Sequence, residues 1–167
     1  MLTLRSSATK VGPLALGAVL LLSACLKKEE FPPEPTIAFK SLEQFGDSAS
    51  LTITFTDGDG DIGLDDTDTE APFEPGSDYY HNLFVGFDQL NNGVWQEVQL
   101  ALPLNYRVPR ITPSGQNKAL SGELAVALKP WPIIPGSEGD TVRFDVRLLD
   151  RSLNASNEAS SGAVVVE

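Results

Sequence analysis

Hydrophobic and polar residues alternate over several short stretches, and the alternation has the period of a β-strand. The clearest run is Ser50 to Thr56, where Leu51, Ile53 and Phe55 point one way and the threonines the other. Thr141 to Leu149 repeats the pattern through Val142, Phe144, Val146 and Leu148. His81 to Asp88 repeats it through Leu83, Val85 and Phe87, and Ala119 to Lys129 through Leu124, Val126 and Leu128. Asn91-Asn92-Gly93 is a strong turn signal, so Val94 to Leu100 is expected to return as a hairpin partner. Its Val94, Val98 and Leu100 then share one face, with Trp95 on the other. Thr36 to Lys40 and Ala163 to Val166 read as short first and last strands. Pro103 to Gly115 carries three prolines, which leaves Tyr106 to Ile111 an edge strand at best. Asp65 to Asp78, with Pro72, Pro75 and Gly76, reads as a long excursion. Lys129-Pro130-Trp131-Pro132 breaks the strand before it, and Asp150 to Glu158 is a polar turn.

About seven to nine strands, separated by turns and with no long helical period, predict an all-β fold. An antiparallel immunoglobulin-like β-sandwich over residues 36–167 is the expected form, with a closed barrel as the alternative. The composition agrees: 41% of the 167 residues are hydrophobic, enough for a core, and 12 prolines and 14 glycines supply turns. The net charge of −11 argues against nucleic acid as a partner, because phosphate binding needs a basic patch. The single cysteine excludes an internal disulfide and any multi-cysteine metal site. The single histidine, His81, argues against a zinc centre or a histidine-based triad.

Directly after the Ser50–Thr56 run comes Asp57-Gly58-Asp59-Gly60-Asp61. Three carboxylates this close repel, and burying them unpaired is costly. A hard cation held at a strand end resolves the conflict, and Ca²⁺, which takes about 6–8 oxygen ligands, is the expected ion. Asp57, Asp59 and Asp61 alternate and can converge, while Gly58 and Gly60 let the backbone curl. Asp65, with Asp66 and Asp68, can add oxygens, and so can Asp150 and Asn154 if their turn lies at the same end of the fold. An EF-hand does not fit: counted from Asp57, the sixth position is Ile62 rather than glycine and the twelfth is Asp68 rather than glutamate. The expected role of the ion is structural, offsetting repulsion and pinning the Asp65–Asp78 excursion. The bland alternative is a solvated acidic turn, since Asp and Gly are ordinary turn residues.

The start of the chain has a different character. Arg5 and Lys10 precede a short apolar run from Val11 to Leu22, which is below the roughly 20 residues of a bilayer span and has the form of a secretory signal. Leu22-Ser23-Ala24-Cys25 closes it and resembles a bacterial lipobox. That resemblance implies cleavage after Ala24, lipidation of Cys25 and stable membrane anchoring. Removing residues 1–24 takes two basic residues and no acids, so the net charge moves from −11 to −13. Leu26-Lys27-Lys28-Glu29-Glu30-Phe31 resembles the export signal that sends Bacteroidetes lipoproteins to the outer face of the outer membrane. Phe31-Pro32-Pro33-Glu34-Pro35 then reads as a semi-rigid tether, with residues 25–35 holding the domain off the membrane and no compact structure before Thr36.

Phe55 to Leu64 and Ile111 to Leu120 resemble segments of uncharacterised Bacteroidetes lipoproteins, and Asp150 to Asn157 resembles the late-strand turn of bacterial immunoglobulin-like domains. No activity comes with that resemblance. No catalytic site stands out either. His81 has no evident nucleophile beside it, and Ser114 and Ser137 sit in Gly/Pro loops without a Gly-x-Ser-x-Gly motif. The expected function is non-enzymatic: a lipid-anchored envelope protein, on the outer membrane and at the cell surface, that binds or scaffolds an envelope protein or a glycan. In the runner-up reading it is a carbohydrate-binding accessory lipoprotein with Tyr79, Tyr80, Trp95 and Trp131 as an aromatic platform. Each of these aromatics has core packing as its bland alternative.

Overall fold

The computed structural model describes residues 30–111 and 118–167. The leader, Cys25, the Lys27–Glu29 stretch and Ser114 lie outside the described residues. Among those described there are nine strands and no helix, hence none long and apolar enough to cross a membrane. The strands are β1 (Thr36–Phe45), β2 (Ser48–Asp57), β3 (Leu83–Asn91), β4 (Val94–Glu97), β5 (Leu104–Tyr106), β6 (Leu120–Leu128), β7 (Thr141–Leu148), β8 (Ala159–Ser160) and β9 (Val164–Val165). They form two antiparallel sheets. One has the order β1-β2-β6; the other has β4-β3-β7-β8, with β5 also on β3 and β9 also on β7.

The two sheets share one apolar core. Leu51, Ile53 and Phe55 of β2 meet Leu83, Val85 and Phe87 of β3 and Val142, Phe144, Val146 and Leu148 of β7 there. Phe144 touches Phe87 and Trp131, with ring centroids 5.4 and 6.2 Å apart. Side chains also tie the sheets at their edges. Tyr106 donates its hydroxyl to the Ala127 carbonyl, 3.0 Å away. Asn157 donates to the Ile37 carbonyl and accepts from the Ile37 N–H, so one amide side chain stands in for a strand partner at the edge of β1.

Four strands differ from the pattern-based expectation, one of them β8 (Ala159–Ser160), where no strand was expected. β1 continues five residues past Lys40, because a bulge there shifts the pairing between Phe39 and Ser41. The bulge turns Leu42 to the side of Ile37 and Phe39, so the strict alternation that marks a strand is broken while the strand goes on. β5 covers Leu104–Tyr106 rather than Tyr106 to Ile111. The following residues leave β3 and run beside the acidic loop, with Leu64 donating to the Val108 carbonyl and Ile111 to the Ile62 carbonyl. Pro109 lacks the N–H that a continued ladder needs. Val94 does not share a buried face with Val98 and Leu100. It is 60% exposed, at the tip of the β3–β4 hairpin, where the positive φ of Asn92 and Gly93 makes the expected tight turn.

Phe144→Ala is expected to cost about 3–5 kcal/mol of stability in urea denaturation. Val165→Ala, on the exposed strand β9, is expected to stay within about 0.5 kcal/mol.

Candidate metal centre

Two inward alternations end on carboxylates. On β2 the buried positions are Leu51, Ile53, Phe55 and then Asp57; on β7 they are Val142, Phe144, Val146 and Leu148, and the same parity continues to Asp150. Asp57 is 0% and Asp150 2% exposed. The two strands belong to different sheets and end at the same end of the core, and a bridge between Ile62 and Asp150 joins the segments that follow them. Asp57, Asp59, Asp61 and Asp150 each bring a carboxylate oxygen into a group whose members all lie within 4.8 Å of one another. This cluster can chelate a divalent cation.

Hydrogen bonds aim the carboxylates. Asp57 accepts the Asp61 N–H on Oδ2 at 3.0 Å. Asp61 accepts the Ser152 N–H and hydroxyl on its own Oδ2, at 3.1 and 2.8 Å. Asp150 accepts the Asn154 N–H on Oδ1 and the Asn154 side-chain amide on Oδ2. Asn154 therefore orients Asp150 through both of its donors. Asp57 Oδ1 and Asp61 Oδ1 are buried and accept no hydrogen bond. Among the described residues no ion pair reaches these four carboxylates; Arg151, beside them in sequence, gives its backbone N–H to the Asp61 carbonyl.

The electrostatics match this geometry. Burial pushes the Asp57 carboxyl up from 3.8 to about 6, and the charges of Asp59 and Asp61 push the same way against the hydrogen bond from the Asp61 N–H. Loss of water also raises Asp59 and Asp150, and in each the charge of Asp61 adds to the shift. A cation among the four would reverse this cost. The donors are all hard oxygens, with no histidine or cysteine in the group, which favours Mg²⁺- or Ca²⁺-like ions over soft ones.

Asp65 is not part of the cluster. Gly63 turns the chain at φ 89° between the buried Ile62 and Leu64, and Asp65 then faces Arg110, with Oδ2 2.6 Å from the guanidinium. Asp68 folds back to accept the Asp65 N–H, and Asp66 is exposed. The Asp65–Asp78 excursion is pinned by Arg107, a residue the sequence did not single out. Its guanidinium donates to the carbonyls of Tyr80, Asp65 and Asp68 at 2.7–2.9 Å. Three carbonyls converging on one arginine leave no pattern in a sequence.

The four aromatics do not make one surface. Trp131 is 5% exposed, packs on Phe144 and donates its Nε1–H to Gln44. Trp95 lies under Arg143, 4.8 Å from the ring centroid, opposite Leu90 near the far end of β3. Tyr80 lies under Arg107 before the start of β3, and only Tyr79, at 39%, is well exposed. The eight residues from Leu83 to Leu90 alone span roughly 24 Å of strand. His81 packs edge-on against Tyr80, and Ser137 donates its hydroxyl to the Ile134 carbonyl within a turn.

A raised carboxyl means that the fold holds this proton more tightly than the unfolded chain does, so ionisation works against folding. Without divalent cations, the contribution of Asp57 to stability is expected to be fully present below about pH 4 and to be lost as the pH rises through about 6. The loss from Asp57 is on the order of 3 kcal/mol. Asp57→Asn should flatten the profile, as read by denaturation at a series of pH values in EDTA. Comparison with known proteins adds no relative: no family model matches the chain, and neither a curated protein nor a solved structure does.

Proposed function

We propose that this chain is a non-enzymatic binding or scaffolding module of the cell envelope, built as an immunoglobulin-like sandwich and carrying a structural Ca²⁺ on Asp57, Asp59, Asp61 and Asp150. One observation carries the metal reading: Asp57 Oδ1 is buried and accepts no hydrogen bond, on a carboxylate grouped within 4.8 Å of three others. An orphan acceptor of this kind costs about 1–3 kcal/mol, and more when charged. A cation supplies what it lacks. Ca²⁺ suits the site better than Mg²⁺, because it accepts many oxygens in irregular geometry while Mg²⁺ demands a near-ideal octahedron and keeps its waters.

The envelope reading rests on the leader, the Leu22-Ser23-Ala24-Cys25 lipobox resemblance and the lysine-then-acidic stretch behind it. In this reading Cys25 carries the lipid, and the acidic domain faces outward from the outer membrane. The resemblance to Bacteroidetes lipoproteins supports the same placement. The non-enzymatic reading is supported by the quiet surroundings of His81 and Ser137, each of which serves local packing or a turn.

Thermal or urea unfolding of the full chain in EDTA and in millimolar Ca²⁺ tests the site. At about 100 times the dissociation constant the ion should add about 2.7 kcal/mol, and Asp57→Asn should abolish that gain. Asp59→Ala should lower stability only when Ca²⁺ is present; an equal loss with and without the ion would count against the metal. Palmitate labelling in a lipoprotein-processing bacterium tests the anchor: label on the native chain and none on Cys25→Ser is the expected result.

A further inference from the structure

The residues just before β1 are docked on the acidic loop. Gly58 lies between Asp57 and Asp59, and its N–H donates to the Pro32 carbonyl at 2.8 Å. A Cβ at Gly58 would lie 2.2 Å from the Phe31 carbonyl oxygen and 2.5 Å from that of Pro32. Gly58 is not among the glycines with positive φ, unlike Gly60 and Gly63. Its backbone would accept any residue, and what requires glycine there is the approach of residues 31–32 alone. Register explains the meeting. Thr36, the first residue of β1, pairs with Thr56, one residue before Asp57, so the incoming chain enters the fold beside the cluster. Pro35, just ahead of it, is buried.

The carboxylates that can hold a cation also set the shape of the loop that receives this segment. Asp57 closes the loop by accepting the Asp61 N–H, and Asp61 fastens it to Ser152. Without a cation, the charges on Asp57, Asp59 and Asp61 repel across the same five residues that present the Gly58 N–H.

We propose that cation binding at the Asp57–Asp59–Asp61–Asp150 site latches residues 30–35 onto the domain through Gly58, and that loss of the cation releases them. The latch rests on the metal reading given above. It makes the ion a control on orientation: with the latch shut, the domain is held in one direction relative to whatever precedes it, and with the latch open it swings on a proline-rich segment. Under this proposal the site senses divalent cation outside the cell and reports it as a change in how the domain is presented.

The test compares two readouts on the full chain. Calorimetric titration with Ca²⁺ reports binding. A glutamate-specific protease, applied in Ca²⁺ or in EDTA, reports the latch through the cleavage rate at Glu30–Phe31, with Glu70–Ala71 in the exposed excursion as internal reference. The expected result is Ca²⁺ binding, with cleavage after Glu30 slowed about tenfold relative to the reference. Gly58→Ala should lose the protection and weaken Ca²⁺ binding by no more than the same tenfold factor, and Asp57→Asn should lose binding and protection together. No heat of binding would overturn the site and the latch together. Binding with an unchanged Glu30 cleavage rate would overturn the latch and leave the site standing. If Gly58→Ala does not fold, the native comparison with and without Ca²⁺ decides alone.

Discussion

The structure depends on where its two inward-facing registers run out. Along β2 and β7 every second residue is buried and apolar, and in each case the next inward position is an aspartate. Strand alternation leaves no choice of face: once Leu51, Ile53 and Phe55 face the core, Asp57 must face it too. Asp150 follows β7 just past its end, where Leu148, Leu149 and Asp150 are all buried. The apolar core thus closes, at one end, on two carboxylates from opposite sheets. Everything nearby serves to make that tolerable: the Asp61 N–H on Asp57, the two Asn154 donors on Asp150 and the Ser152 donors on Asp61.

These donors do not finish the task. Hydrogen bonds cover one oxygen of Asp57 and one of Asp61 and leave the other of each buried and bare. Desolvation raises the Asp57, Asp59 and Asp150 carboxyls, and the neighbouring aspartate charges push the same way, even though Asp59 is exposed. A protein of net charge −11 has few cations of its own to spare. Elsewhere it does spend them on carboxylates and carbonyls. Arg143 joins Asp88 and Asp145 on the outer side of the second sheet and lies over Trp95. Arg107 gathers three carbonyls of the excursion. At the cluster the arginine next in line, Arg151, contributes a backbone N–H instead. Protonation of Asp57 or a bound cation would each relieve the site's negative charge.

Labour is divided between the arginines and the cluster. Arg107 and Arg110 hold the excursion, while the cluster's own loop touches the turn at Ser152 and the incoming segment at Gly58.

The alternation of apolar residues was enough to read an all-β chain and its main strands, because strand period depends only on local order. β2, β3, β6 and β7 were legible in this way, as was the Asn92-Gly93 turn, whose chemistry is local. Clustering of Asp57, Asp59 and Asp61 was legible for the same reason, and Asp150 entered on the condition that its turn lay at the same end. Tertiary structure decided the rest. It met the condition for Asp150 and withdrew Asp65, because a turn at Gly63 sends the chain to Arg110. It extended β1 through a bulge that hides the alternation, and it buried Trp131. It also brought Phe31 and Pro32 onto Gly58 and three carbonyls onto Arg107. Each of these is a meeting of residues far apart in the chain, and only the paired sheets determine which distant residues meet.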